Sequence, residues 1–533
     1  MTTDKNDDTL LRINVGEKAM KKRILTIGFI GCLVATLLLG CAAKTGEDTK
    51  SNKEKKKDLT KYEQILEEGV LTVGTEGTYQ PFSYYDEENN LTGYDVEVAK
   101  AIAKKMGVQV EFEEIAWDGL LGFLDNGTVD LILNQVGVTE ERNAKYDFSE
   151  PYVYSYPALI TLEDNDKIHS WESARGCEAS LNVSSNYADI AARYDMTITT
   201  SDTFSKDIEL LIAGRTECLI NSTMAFSNFV NKKPDTPIQI ADILDKPDTV
   251  AIPVTKGNED LLEAVNQAIF ELQEDGTLTE LSEEFLGRDF SEELTEEERE
   301  SLKDKGEHKW ESRIVSIIVD SFWPILKAGL QFTIPLTLIS FALGILLAIL
   351  VAVIRVSKVK VVDPLCRFYV WVMRGTPLLV QLFVVFFGLP KVGIVIHPLP
   401  ASIIVFSLSV GAYSSEIFRA AILSIPKGQW EAATSLGMSY LQTLRRIILP
   451  QATKLSIPAL FNSFISLVKD TSLASTITVS EMFLVTQRIT ARTYEPLIMY
   501  LEVGFIYLIF CTILHWVQTA VERKMSLTAV KKA

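Results

Sequence analysis

The chain has 533 residues, 47% of them hydrophobic, and a formal net charge of −18. Residues 310–533 carry 20 basic and 10 acidic residues, whereas residues 1–309 carry 32 basic and 60 acidic ones. The strongly acidic half argues against nucleic-acid binding, which needs basic faces to neutralise phosphate. Long apolar runs in the second half exclude a wholly soluble protein.

The cysteine and histidine patterns argue against a metal site or an enzyme. The six cysteines form no CxxC pair, and the four histidines lie far apart without an HExxH motif. The sequence likewise shows no nucleophile–base pair. We therefore expect no catalytic residue, no metal ligand and no cofactor in this chain.

The N-terminus carries an export signal. Basic residues at 21–23 precede an apolar run at 24–39, which is typical of a secretory signal. The run ends in Leu38-Leu39-Gly40-Cys41, which resembles the bacterial lipoprotein box and implies cleavage before Cys41 and a lipid on it. The alternative is an uncleaved signal anchor, and Met20 would be a more usual start.

Residues 59–289 alternate between strand and helix patterns. Strands are predicted at Val70–Gly74, Val108–Phe112 and Val129–Asn134, with helices at Val96–Met106 and around Gly119–Leu124. Such alternation favours a parallel sheet covered by helices. Ligands of these sheets bind beyond the carboxyl ends of the strands.

A motif within this region is specific. Gly93-Tyr94-Asp95-Val96-Glu97-Val98, continuing to Ala103, resembles the signature of the family 3 solute-binding proteins, the amino-acid receptors of bacterial importers. The resemblance covers about 225 residues. It implies a two-lobed α/β domain of the periplasmic-binding-protein type, with hinge segments near Tyr156–Ile160 and Ala251–Val254.

The resemblance also implies ligand-binding positions. Arg142 matches the arginine that grips the α-carboxylate, because a planar guanidinium can donate two parallel hydrogen bonds. Tyr79 and Trp117 match aromatics that face the ligand side chain, and the alternative for both is an ordinary core position. The full set is Glu76, Tyr79, Trp117, Asn134, Gln135, Gly137, Arg142, Ser184, Ser185, Asn186 and Ser222.

Three departures from the family pattern bear on the substrate. Asn134-Gln135-Val136 and Asn186-Tyr187 resemble the cystine-binding branch, so L-cystine is the favoured ligand and another amino acid such as glutamine is the alternative. Gly137 lacks the usual hydroxyl and would leave room for a long ligand. Ser222 stands where the family has an aspartate for the ligand ammonium.

Cys177 and Cys218 each begin a predicted strand of the second lobe. An exported domain permits a disulfide between them, and two free thiols are the alternative.

The second half predicts an all-α membrane domain of about five spans. The apolar runs fall at 324–354, 366–389, 401–423, 452–477 and 495–517. Basic residues follow the first, third and fifth runs: Arg355, Lys358, Lys360, Arg445, Arg446, Arg523 and Lys524. The positive-inside rule places these regions in the cytoplasm and the receptor domain outside.

Two motifs identify the membrane half. Glu431-Ala432-Ala433, with Gly437 and the later Ile447 and Pro450, resembles the EAA loop of ABC importer permeases, which docks on the ATPase subunit. The segment from Arg374 to Gln381 resembles the polar amino-acid branch of these permeases. Arg374 is therefore a candidate for the translocation path. So is Glu416, whose alternative is a structural ion pair with Arg419.

The sequence contains no GxxxxGK[ST] phosphate loop, so the resemblance implies a separate ATPase subunit that uses ATP. Five spans are fewer than the family's usual pore needs, which predicts a homodimer in a bacterial cell membrane. A ligand-gated channel is the alternative interpretation, although such a channel would not need an EAA loop. The predicted organisation is a signal at 1–41, a tether at 42–58, the receptor domain at 59–289, a charged linker at 290–309, the permease at 310–525 and a cytoplasmic tail at 526–533.

Overall fold

The computed structural model describes residues 59–303, 314–357, 362–392 and 394–530. The predicted signal, Cys41 and the tether lie outside the described residues, as do residues 304–309 of the linker. The first helix, α1 (Lys61–Glu68), belongs to a unit separate from the chain that begins at Gly69. Thr60 and Glu63 cap its first turn reciprocally, at 2.9 and 3.2 Å.

Lobe 1 is built on a parallel sheet of order β4-β1-β5, as the sequence predicts. Its inner strand is almost entirely buried, as expected for a parallel sheet with both faces covered. The elements of residues 70–148 are β1 (Val70–Thr75), β2 (Tyr84–Tyr85), β3 (Leu91–Thr92), α2 (Tyr94–Met106), β4 (Gln109–Glu114), α3 (Trp117–Asp125), β5 (Leu131–Ile132), α4 (Glu140–Lys145) and β6 (Tyr146–Phe148).

Lobe 2 is built on a five-stranded sheet of order β10-β9-β11-β8-β12. The strand β8 runs antiparallel to both its neighbours, whereas β9, β10 and β11 are parallel. The elements are β7 (Val153–Ser155), β8 (Pro157–Leu162), β9 (Glu178–Leu181), α5 (Tyr187–Arg193), β10 (Thr197–Thr200), α6 (Phe204–Ile212), β11 (Cys218–Ser222), α7 (Thr223–Lys232), β12 (Ile238–Ile243) and β13 (Asp248–Val250).

The hinge lies a few residues before each predicted segment. The strands β7 and β13 form an antiparallel pair of three residues each between the two lobe sheets. The predicted segment Tyr156–Ile160 belongs instead to the interior of the lobe 2 sheet, where β8 is buried. After β13 the chain returns to lobe 1 through β14 (Pro253–Thr255), which pairs with β6, and continues into α8 (Glu259–Glu274), α9 (Thr277–Leu286) and α10 (Glu296–Ser301).

The membrane half is mostly helical over its described residues. Its elements are α11 (Ile314–Ala328), a π-helical turn (Gly329–Thr333), α12 (Ile334–Val356), α13 (Val362–Gly375), α14 (Leu378–Phe383), a π-helical turn (Val384–Gly388), a 3₁₀ turn (Leu389–Val392), α15 (Pro398–Ser424), α16 (Lys427–Ser435), α17 (Tyr440–Thr443), a π-helical turn (Leu444–Ile448), α18 (Leu449–Asp470), a 3₁₀ turn (Thr471–Ile477), α19 (Met482–Thr493) and α20 (Pro496–Val530).

Three of these helical stretches are long and apolar enough to cross a membrane: Ile314–Val356, Pro398–Ser424 and Pro496–Lys524. The pair Val362–Gly375 and Leu378–Gly388, bent by 110°, would be a fourth span if it crosses as one unit. The predicted run at 452–477 corresponds to α18, which is not among these candidates. Its span stays a prediction from the sequence.

Candidate ligand-binding site

A cavity lies between the lobes, and side chains of both lobes line it. Lobe 1 contributes to it Glu76, Thr78, Tyr79, Gln80, Trp117, Asn134 and Gln135. Lobe 2 contributes Asn182, Ser185, Asn186, Tyr187, Asp202, Thr203, Phe204, Ser205, Asp207 and Asn221. Seven of the eleven predicted ligand positions therefore line one cavity.

The lobes are held together across this cavity by polar contacts. The Tyr79 hydroxyl donates to Asn221 Oδ1 at 3.1 Å, and the Ser184 hydroxyl donates to Asp118. Arg142 Nη2 donates to the Ser184 carbonyl at 2.9 Å. The structure therefore has the lobes closed on each other.

Glu76 follows the carboxyl end of β1, and its position is set by Asn134. The Oδ1 atom of Asn134 accepts a hydrogen bond of 2.9 Å from the Glu76 amide and one of 3.1 Å from the Thr75 hydroxyl. Burial raises the pKa of Glu76 to about 7, although hydrogen bonds from Thr78 and Asn134 lower it. Glu76 therefore changes charge near neutral pH.

A second buried carboxyl group reaches the cavity from lobe 2. Asp207, in the first turn of α6, is 3% exposed and accepts a hydrogen bond of 2.7 Å from the Ser201 hydroxyl. Burial raises its pKa to about 7. The sequence analysis missed Asp207, because no family motif marks it. Its place just after β10, near the carboxyl end of a lobe 2 strand, is the signal that could have found it.

The amides of Asn134 and Gln135 are engaged within lobe 1. The Gln135 side chain donates to Asp95 Oδ1 at 2.8 Å, and its backbone amide donates to Asp95 Oδ2 at 2.7 Å. Its φ of 55° is the left-handed conformation, which such local bonds hold in place. Both side chains line the cavity, and their hydrogen bonds within lobe 1 also hold the cavity wall in place.

Arg142 lies beside the main cavity, not in it. It is 9% exposed, and its Nη1 donates to the Gly137 carbonyl at 2.8 Å while Nη2 donates to Ser184. Its guanidinium lies 5.5 Å from the Trp117 ring, in a smaller cavity that also reaches Ser184. Burial lowers the pKa of Arg142 from its usual value.

Two predicted positions have structural tasks here. A Cβ atom at Gly137 would lie 2.9 Å from Asn186 Cγ, so the missing side chain makes room for Asn186 of lobe 2. This differs from the expectation that Gly137 makes room for a long ligand. The Ser222 hydroxyl caps α7 by accepting from the Ala225 amide at 3.1 Å, and its neighbour Asn221 lines the cavity instead.

Cys177 and Cys218 are both free thiols, which is the second of the two predicted alternatives. Burial raises the pKa of the Cys218 thiol to about 12. A thiol so far from ionisation is unreactive at neutral pH.

The EAA segment forms a helix, a turn and a second helix. Glu431, Ala432 and Ala433 lie in α16, and Gly437 makes the turn with a φ of 74°. Ala433 is buried, whereas Leu436 in the turn is 81% exposed.

The two candidates for the translocation path have intramolecular partners. Glu416 forms ion pairs with Arg355 and, at 2.8 Å, with Arg419. This arrangement favours the alternative of a structural ion pair. Arg374 lies 5.3 Å from the centroid of the Tyr413 ring.

A two-lobed cleft followed by an apolar helical domain with an EAA turn defines a solute receptor joined to a transporter permease. Residues 71–288 match the model of the bacterial extracellular solute-binding proteins, family 3. Residues 344–527 match the binding-protein-dependent transport system inner membrane component. The chain belongs to these two families and combines the binding and permease components of an amino-acid ABC importer, which are transporter components and not enzymes.

Individual relatives match each half over nearly their whole length. The L-cystine transport system permease protein TcyB of Bacillus subtilis (strain 168) is 51% identical over 210 residues, 39% of this chain and 90% of that protein. The L-cystine-binding protein TcyA of the same organism is 34% identical over 273 residues, 51% of this chain and 100% of that protein. The L-cystine-binding protein TcyJ of Escherichia coli (strain K12) is 35% identical over 229 residues, 42% of this chain and 86% of that protein.

Proposed function

We propose that this chain binds extracellular L-cystine and imports it, driven by a separate ATPase subunit. The observation that carries the proposal is that two carboxyl groups line one cavity: half-buried Glu76 from lobe 1 and buried Asp207 from lobe 2. Cystine is two amino acids joined by a disulfide, so it presents an ammonium group at each end. Similarity to cystine transport proteins in both halves of the chain supports the same ligand.

The two carboxyl groups would take the role of the aspartate that the family has at the position of Ser222. A carboxylate and an ammonium group that are buried together form a charge-assisted hydrogen bond, roughly twice as strong as a neutral one. Each lobe supplies one acidic partner, so the ligand would link the lobes when they close. The aromatic rings of Tyr79 and Trp117 would flank the apolar centre of the ligand.

The carboxylates of the ligand require donors, and Arg142 remains the proposed partner for one of them. In the structure two backbone carbonyl oxygens, those of Gly137 and Ser184, occupy its Nη1 and Nη2 donors. A ligand carboxylate carries two oxygens and a full charge, so it would replace these carbonyls favourably. Ser185 and Asn186, which line the cavity, would be donors for the other end.

We propose that the receptor lies outside the cell, and its contacts with the permease support this orientation. Lobe 1 packs on Phe386 and Phe387, and both lobes contact α19 and the residues after it. The positive-inside rule places these segments outside the cell and the EAA turn in the cytoplasm. The ATPase subunit would dock on that turn. The permease would function as a homodimer in a bacterial cell membrane. A lipid on Cys41 would anchor the N-terminal side of the receptor.

A binding experiment on the full-length protein in lipid nanodiscs tests the substrate. Radiolabelled L-cystine should bind and be displaced by unlabelled cystine and by L-cystathionine, which also has two amino-acid ends. L-Glutamine, L-arginine and L-cysteine under reducing conditions should compete at least tenfold less well. Tighter binding of glutamine or arginine than of cystine would refute the cystine assignment and leave the importer assignment standing.

A further inference from the structure

The permease segment Arg488–Glu495, which we name the docking segment, contacts both lobes of the receptor. Towards lobe 1, Arg488 Nη2 forms an ion pair of 2.6 Å with Glu114 Oε2, and Arg488 is only 7% exposed. Its guanidinium also lies 4.2 Å from the centroid of the Tyr85 ring. Arg492 Nη1 donates to the Asp86 carbonyl at 2.6 Å. Arg488 therefore contributes one charge-assisted hydrogen bond and one cation–π contact at a buried position between lobe 1 and the permease.

Lobe 1 has a second attachment to a different permease segment. The Phe123 ring lies 5.3 Å from the Phe386 ring and 6.0 Å from the Phe387 ring. A Cβ atom at Gly119 would lie 2.8 Å from the Phe387 ring, so the two surfaces are in close contact. Aromatic pairs of this kind stabilise a contact beyond the effect of the area they bury. Lobe 1 is therefore held at two separate places.

Lobe 2 reaches the permease through the C-terminal end of the docking segment. Asn228 Nδ2 donates to the Tyr494 hydroxyl at 2.8 Å, and the Phe229 ring meets the Tyr494 ring edge-on at 4.9 Å. Lys233 Nζ forms an ion pair of 3.0 Å with Glu495 Oε1. These contacts involve α7 and the residue after it, so they depend on where lobe 2 stands relative to lobe 1.

The docking segment also reaches the ligand cavity and the spans. Ala491 and Tyr494 line the cavity together with Tyr79 and Asp207. At the other end of α19, Met482 packs so closely on Gly329 that a Cβ atom there would lie 2.6 Å from its sulfur. Gly329 lies in the long apolar stretch that begins at Ile314. One helix therefore joins the receptor cleft to a candidate span.

We propose that lobe 1 stays docked on the permease between transport cycles, and that lobe 2 closes onto Tyr494 and Glu495 when ligand binds. The short hinge pair β7 and β13 lets lobe 2 move while lobe 1 is held. The closing of the cleft on its ligand is then transmitted from the docking segment to the spans through α19. The inference goes beyond the choice of substrate, because it holds for any ligand of the cavity.

Photo-cross-linking in the full-length protein tests which lobe moves. p-Benzoylphenylalanine replaces Phe229 of lobe 2 in one variant and Phe123 of lobe 1 in a matched variant, both in nanodiscs. With saturating L-cystine, the lobe 2 probe should cross-link to the peptide containing Tyr494 at least threefold more than without ligand. The lobe 1 probe should cross-link to the peptide containing Phe386 and Phe387 equally in both conditions.

Either of two cross-linking results would overturn the proposal. Ligand-independent cross-linking of the lobe 2 probe would mean a static interface, and ligand-dependent cross-linking of the lobe 1 probe would mean that the whole receptor docks and leaves. Cystine binding is measured in the same samples. If cystine fails to bind, the proposed function fails, and the cross-linking is repeated with whichever of glutamine or arginine does bind.

A charge exchange tests the coupling without an artificial residue. Lys233→Glu should lower uptake at least fivefold, and it should also raise the Kd for cystine, because the ion pair with Glu495 forms only when the ligand closes the cleft. Adding Glu495→Lys should restore at least half of the uptake by rebuilding the ion pair in reverse. Normal uptake by Lys233→Glu, or failure of the double variant to recover, would overturn the role given to this contact.

Discussion

Glu76 is the residue on which the pH dependence of ligand binding should depend. Its pKa of about 7 means that the carboxyl group in the empty cleft is partly protonated near neutral pH. A ligand ammonium group favours the ionised form, so binding releases a proton and the affinity rises with pH. Below pH 7 the affinity should fall by up to about tenfold per pH unit for each competing proton.

Calorimetry from pH 5.5 to 7.5 measures this slope, in a range where most of an α-amino group is charged because its pKa is about 8. Glu76→Gln should bind cystine more weakly at pH 7.5 and show a shallower slope. Asp207→Asn is the matched variant in lobe 2, because burial also raises the pKa of Asp207 to about 7. An unchanged slope in both variants would exclude these carboxyl groups as ammonium partners.

Arg142 distinguishes a carboxylate partner from a purely structural link between the lobes. Arg142→Ala should weaken cystine binding by about 2–4 kcal/mol, as expected when a buried charge loses its partner. Arg142→Lys keeps the charge but loses the planar pair of donors, so its affinity should fall between those of Arg142→Ala and the unaltered protein. Titration calorimetry gives both values. A loss smaller than threefold in Arg142→Ala would show that Arg142 serves only to join Gly137 to Ser184.

Matching family motifs predicted which residues lie near the cleft, but it did not predict which residues they contact. Glu76, Tyr79 and Trp117 line the cavity, since each follows the carboxyl end of a lobe 1 strand, and their contact with a ligand stays a prediction. The task of Gln135 could not be predicted, since its partner Asp95 lies 40 residues earlier in the chain. The close approach of the Asn186 side chain to Gly137 likewise depends on how the two lobes meet.

At the scale of elements, the turn of the EAA segment should transmit ATPase movement without affecting the receptor. Gly437 has a φ of 74°, which a β-branched residue adopts only with strain of roughly 1–2 kcal/mol. Gly437→Val should therefore displace α16 relative to α17 and lower cystine uptake at least tenfold. Cystine binding by the distant receptor should stay within twofold of normal.

Gly437→Asn is the matched control, because asparagine tolerates the left-handed conformation better than other side chains. It should retain at least half of the uptake of the unaltered protein. Uptake assays in cells and binding in nanodiscs separate the two effects. Normal uptake by Gly437→Val would mean that this turn does not couple the permease to an ATPase.

Elements with a strong local pattern were predicted well, and those defined by distant contacts were not. The strand at Val70–Gly74 and the helix at Val96–Met106 match β1 and α2 within two residues. The hinge segments were predicted only to within a few residues, because the three paired residues of β7 and of β13 give no distinctive hydrophobic pattern. The importance of α19 was missed because Arg488 and Arg492 look like ordinary surface charges until lobe 1 is placed beside them.

At the scale of the whole molecule, the described residues supply three candidate spans, or four if the bent pair crosses as one. In the homodimer that we propose, a second copy of the chain would contribute further helices to the passage. The spans retain large exposed apolar side chains, among them Leu338, Leu346 and Leu508, that could face lipid or that copy.

Co-expression of two differently tagged copies tests the homodimer. Purification through one tag should recover the other, and mass photometry in nanodiscs should give particles with twice the mass of the chain. Pairing a normal copy with a Gly437→Val copy should lower uptake below the average of the two, because one damaged EAA turn stalls a shared passage. Particles that contain a single chain and still import cystine with the ATPase subunit would show that one copy builds the whole pathway.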